Sequence, residues 1–183
     1  IHSKKRDERT QAIFANMKLD ALKSLKLLPE IDFELTQWDQ VVLMEQVKQE
    51  PAADVPDLNP LLGSENFSVV EFGVKLIGFF ELVKYKNEVK KRLEHKNTNV
   101  RLAAIKALRR MFDNDGIPIL IENYDELTPT EKNELFITIE EIGTHQCLDF
   151  LWKVVEEDPT PEFKIRALDC IQTLESAVFL KRK

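Results

Sequence analysis

Glycine is scarce in this chain, at five residues in 183. That scarcity disfavours phosphate-cradling loops and the turn-rich β architectures that depend on left-handed backbone. No G-x-x-x-x-G-K, G-x-G-x-x-G, G-x-S-x-G or H-E-x-x-H motif occurs. Two cysteines, Cys147 and Cys170, make no disulfide framework and fit a reducing, cytoplasmic setting. The three histidines, His2, His95 and His145, lack metal-ligand spacing with each other or with the cysteines. No apolar run nears the roughly 18 residues that would span a bilayer. No catalytic, cofactor-binding or metal-ligating residue is assigned on these grounds, and the chain reads as non-enzymatic.

What is present is charge, unevenly spread. The net charge is −6, so specific nucleic-acid binding is not expected. Residues 84–112 hold ten Lys/Arg against Glu88 and Glu94, a net of +8, whereas 113–160 hold thirteen acids against Lys132 and Lys153, a net of −11.

The second feature is repetition. Val100-Arg101-Leu102-Ala103-Ala104-Ile105-Lys106-Ala107-Leu108 has copies at Met17–Leu25, Val69–Ile77 and Phe163–Ile171, and a weaker one at Glu131–Ile139. The starts at 69, 100, 131 and 163 are 31, 31 and 32 residues apart, a period typical of stacked helical units. At 100° per residue the first, fifth, sixth, eighth and ninth positions share one helix face. The fifth position is Ala21, Gly73, Ala104 or Ala167 in four of the five copies, as close packing of another helix would require.

This pattern resembles the second helix of a HEAT repeat, over Lys5–Ala177. The resemblance implies an all-α fold, an α-α superhelix (right-handed solenoid) of about five HEAT-like hairpins forming one domain over 1–183. It further implies that a basic residue at the second position (Lys18, Arg101, Lys132, Lys164) joins an inter-repeat ladder with loop acids. Glu126 and Asp158 suit that role, while His95 stands where the acid before Arg101 would be. Because the second helix lines the concave face in HEAT arrays, Lys75, Phe79, Lys106, Arg109 and Arg110 are the candidate partner-binding residues. The expected function is a monomeric protein-protein interaction scaffold for a protein or peptide, without cofactor. The alternative is a nucleic-acid-binding HEAT-like protein related to DNA alkylation-repair glycosylases. A bilin-lyase-like enzyme is a third class that no residue specifically supports.

Along the chain, one helix is expected over Asp7–Leu28. Thr36 with Asp39 and Thr128 with Glu131 read as capping boxes, and the helix after Thr36 carries Trp38, Val41, Val42, Met44 or Glu45, and Val47 as its core stripe. Pro51, Pro56 and Pro60 mark 50–63 as an insertion, acidic and leucine-rich, either a lid over the core or a contact element. The helix of the Val69 copy should reach Lys84, Gly143 should stop the next but one, and Thr144 should cap its successor. Ile1 followed by Lys4-Lys5-Arg6 fits two readings. One is a fragment tethered at the cytosolic face of a membrane through an upstream segment; the other is a solvated helix start.

Overall fold

The computed structural model describes residues 2–181, and the side chains of 8–16 and 18–176. The Lys4-Lys5-Arg6 run, the Met17 position and the Phe179–Lys183 end therefore lie outside the described side chains. Eleven α-helices and no strand occur among the described residues: α1 His2–Leu19, α2 Ala21–Leu25, α3 Gln37–Val47, α4 Asn59–Leu62, α5 Phe67–Phe79, α6 Lys86–Lys90, α7 Thr98–Arg110, α8 Ile117–Glu122, α9 Pro129–Ile142, α10 Leu148–Glu157 and α11 Pro161–Lys181. The chain divides into two compact units, Ile1–Glu88 and Val89–Lys183.

The helical segments keep a strict phase. Segments begin at Ala21, Ala52, Val83, Asn114 and His145, each 31 residues after the last; the final four open as single 3-10 turns. The longer helices that follow begin at 37, 67, 98, 129 and 161. Each packs on helical structure of its own hairpin: α2 on α3, α4 on α5, the Lys91–Glu94 turn on α7, α8 on α9 and α10 on α11. This phase moves two expectations. Residues 50–63 hold the first half of the second hairpin rather than an insertion, with Leu58, Leu61 and Leu62 buried. Met17–Leu25 is not the second helix of the first hairpin; α3 is. Nine residues of apolar spacing describe either helix of a hairpin equally well, so the sequence pattern alone could not separate them.

Caps explain most boundaries. The expected helix over 7–28 breaks at Asp20, whose carboxylate accepts from the Lys23 N–H at 3.0 Å and starts α2. Thr36 with Asp39 and Thr128 with Glu131 form both halves of their capping boxes. Thr144 makes no side-chain cap bond. Both α5 and α7 stop the same way, at a non-glycine residue with positive φ: Glu81 at 51° and Phe112 at 52°. Behind each, the Leu82 N–H reaches the Ile77 carbonyl and the Asp113 N–H reaches that of Leu108, both at 3.0 Å. This left-handed stop ends α5 at Phe79, short of Lys84.

In the first unit, Gly73 lets α4 lie close against α5; a Cβ there would sit 3.0 Å from the Leu61 Cβ. Helix α3 buries Asp39, Gln40, Leu43 and Val47. Its expected core residues Trp38 and Val41 are 71% and 49% exposed, because the buried face is set one residue further along the helix. In the second unit α7 packs on α9 and α9 on α11. Arg101 meets Glu131 near the starts of α7 and α9, and Arg109 meets Glu141 near their ends, so the two helices run parallel. Val100, Ala104, Ile105, Ala107 and Leu108 are all buried. In α11 the equivalent sixth position fails: Leu168 is 45% exposed, and Ile165 is 60% exposed. The sixth-position Phe136 of α9 is buried beside Phe163 of α11, whereas the matching face of α11 has no such successor among the described residues.

At the fourth residue of α3, α7 and α9, which in α7 and α9 is the second position of the repeat, a polar side chain reaches an acid of the following hairpin. Gln40 donates to Glu71 at 3.1 Å. Arg101 grips Glu131 with Nε at 2.6 Å and Nη2 at 3.1 Å, and Lys132 lies 3.7 Å from Asp158. Glu131 takes the place expected of Glu126, and Arg101 also donates to the His95 carbonyl at 2.8 Å. Lys164 instead reaches the Glu156 carbonyl at 3.0 Å.

Candidate functional site

The outward side of α7 forms because its apolar positions face inward and leave Lys106, Arg109 and Arg110 on the other flank. The structure then separates the three. Glu134 of α9 lies between two of them, 3.0 Å from the Lys106 ammonium and 2.9 Å from Arg109 Nη1. A further carboxylate, Glu141, stands 3.4 Å from Arg109 Nε. Arg109 and Glu134 have side chains only 16% and 14% exposed. These charges are already answered within the molecule, and Arg109 is partly sunk into the α7–α9 seam rather than opposite the core.

Arg110 is exposed and has no ion-pair or hydrogen-bond partner among the described residues. Two residues on, the left-handed stop holds Phe112 with 79% of its surface in water. A bulky residue with positive φ is costly, and an aromatic ring left in water forgoes the gain of burial. Both costs fall on one residue, two positions after an exposed arginine. The sequence carries no mark of this, since nothing in the residue types around 112 demands a left-handed backbone.

Lys75 and Phe79 lie on α5 in the other unit and are described within it. The Lys75 ammonium is 2.6 Å from Glu71 and 2.8 Å from both the Gln37 and Gln40 side-chain oxygens. The same two glutamines donate to Glu71. Lys75 thus closes a cage of four polar side chains, and its role in the fold is internal. Phe79 is half-buried and meets Phe80 edge to face at 4.9 Å.

The second unit also holds a polar and aromatic cluster that the sequence did not suggest. The Tyr124 hydroxyl donates to Asp158 at 2.9 Å, and the Lys132 ammonium sits 3.9 Å from the centre of the Tyr124 ring. Burial and the hydrogen bond to Asp158 push the Tyr124 hydroxyl well above its ordinary value. Burial works to raise the Asp158 carboxyl, but hydrogen bonds from Thr160 and Tyr124 and the Lys132 charge outweigh it and hold it low. With both groups fixed in one protonation state near neutral pH, the cluster serves as a brace. Burial lowers the His95 imidazole below its usual value, and its Nδ1 accepts from the Asn97 N–H at 3.1 Å. Among the described residues no group of three or more His, Cys, Asp or Glu side chains is placed to hold a metal ion.

Among the described residues no helix is long and apolar enough to cross a membrane. No protein-family model matches the chain, and neither curated proteins nor solved structures give a match to it.

Proposed function

We propose that this chain is a non-enzymatic scaffold of HEAT-like hairpins, wound as an α-α superhelix, that holds a segment of a protein partner. The 31-residue phase, the parallel packing of α7 on α9 and the polar ties at the second position support that architecture. The observation that carries the binding reading is the left-handed, exposed Phe112 that follows exposed Arg110 by two residues at the end of α7. An exposed arginine and an exposed ring two residues apart suit a partner segment with a carboxylate next to an apolar side chain. Lys106, half exposed, can add to that field, while Arg109 and Lys75 act through the fold. Two free, buried cysteines accord with a reducing, cytoplasmic setting.

A photo-crosslinking amino acid placed at Phe112 tests the reading in cells. A discrete protein adduct, absent when Arg110→Glu is added, is the expected result. No adduct, or the same adducts from a crosslinker placed at exposed Lys153, would overturn it. The nucleic-acid alternative loses much of its footing because Lys106 and Arg109 are neutralised by Glu134 and Glu141. Fluorescence anisotropy with duplex DNA at about 150 mM salt should show no sub-micromolar binding, the range of specific complexes.

A further inference from the structure

The second unit has a cleft of about 380 Å³ where α8 and the start of α10 come together. Its floor is apolar, made by Ile117, Ile121 and Phe150. The Phe150 ring is braced from behind by Tyr124, edge to face at 5.1 Å, and Tyr124 is itself held by Asp158 and Lys132. The floor is therefore set before anything binds, which spares a ligand the cost of ordering it. The rim is acidic. Glu122 and Asp149 are exposed and have no ion pair among the described residues. Asp115, also on the rim, already faces Lys90 at 3.6 Å. No Lys, Arg or His lines the cleft, and it lies within the stretch 113–160 of net charge −11.

We propose that this cleft is a docking site for a protein segment in which an arginine or lysine stands next to an aliphatic side chain. The aliphatic group covers Ile117, Ile121 and Phe150, and the cation lies between Glu122 and Asp149. Charge complementarity selects this occupant. An acidic segment would meet two like charges with no cation on the lining to relieve them, and a wholly apolar one would leave both carboxylates against hydrocarbon. The cleft lining shares no residue with the Arg110 and Phe112 surface and takes a segment of the opposite charge, so either proposal can fail without the other.

The test is a two-dimensional NMR titration of the whole chain with the capped peptide acetyl-Ala-Leu-Arg-Leu-Lys-Ala-amide, beside a counterpart with Glu in place of Arg and Lys. The expected result is saturable shifts of Ile117, Ile121 and Phe150 with the basic peptide alone. Glu122→Lys with Asp149→Lys should weaken that binding about tenfold or more. Both positions are exposed, and a circular-dichroism spectrum matching the parent establishes that the variant is folded. An Ile121→Ala variant, which keeps the rim and shrinks the floor, should weaken binding as well. Equal binding by the glutamate peptide, unchanged affinity in the charge-reversed variant, or no shifts at about 1 mM peptide would each overturn the proposal. Self-association in sedimentation that charge reversal abolishes would also overturn it, in favour of a second copy as occupant.

Discussion

Replacing Arg101 by Met isolates what the tie between α7 and α9 contributes. Glu131 is fully buried and accepts from Arg101 Nε at 2.6 Å, Arg101 Nη2 at 3.1 Å, the Thr128 N–H at 2.9 Å and the Thr128 hydroxyl at 2.7 Å. Methionine keeps the aliphatic packing but removes the cation and leaves a carboxylate away from water. Losing one partner of a buried pair costs about 3–5 kcal/mol. The two remaining Thr128 bonds, and the 19% exposure of the Arg101 side chain, place the expectation at the lower end, about 3 kcal/mol. Glu131→Gln keeps the cap and drops the charge, so it should cost less, and the double variant should cost clearly less than the sum. A coupling of about 2 kcal/mol is expected from urea midpoints at constant slope.

The pH dependence carries the sign. Burial works to raise the Glu131 carboxyl, but the Arg101 and Thr128 hydrogen bonds outweigh it and hold it below its usual 4.5. Its contribution is therefore complete above that value and lost as pH falls through the lower folded value. Without Arg101 the burial effect gains, and acidification from neutrality should favour the folded variant until other carboxylates protonate. An Arg101→Met cost under about 1 kcal/mol with no coupling to Glu131 would refute the picture, since that is how a solvated pair behaves.

Other perturbations have equally direct readouts. Phe112→Gly relieves the left-handed strain and should raise stability by about 1 kcal/mol, seen as a higher urea midpoint, even as it removes the crosslinking surface. Ala104→Glu puts a carboxylate at a position with no exposure and should cost at least several kcal/mol, abolishing the cooperative transition followed by circular dichroism. Burial raises the Cys147 thiol, and burial with the nearby Glu140 charge pushes Cys170 up to about 12. Iodoacetamide at about pH 8 should then label both only when urea is present, as counted by intact mass.

The helical class and the period were legible because Val100–Leu108 sets its apolar residues at helical spacing, and because Thr128 and Glu131 mark a helix start by type alone. Hairpin membership was harder. Met17–Leu25 has the right apolar spacing but begins inside α1 and ends in α2, since one aspartate, Asp20, offers the backbone a cap that the spacing does not register. The candidate binding residues were correctly placed away from the core in the case of Arg110. Lys106 and Arg109 were read as available because their partner, Glu134, sits one hairpin further along. Facing direction can be read from one helix; neutralisation depends on the register between two. The left-handed Phe112 had no signal at all, because the residue usual at such a stop, glycine, is absent.

The 31-residue phase makes chain length in this molecule a quantity that changes in steps. The first segments of the hairpins hold to 31 without deviation, while the longer helices begin 16, 15, 15, 15 and 16 residues after them. The connection that leaves a long helix takes up the difference, so one residue of slack moves between the two connections of a period while the period itself stays at 31. A residue added within α7 would turn everything beyond it in that helix by 100° and carry Arg109 away from Glu134. A residue added near Ser64 would meet a connection of the kind that already varies by one. Lengthening by a whole period would leave every other segment in phase, so this chain can grow or shrink by complete hairpins far more readily than by single residues.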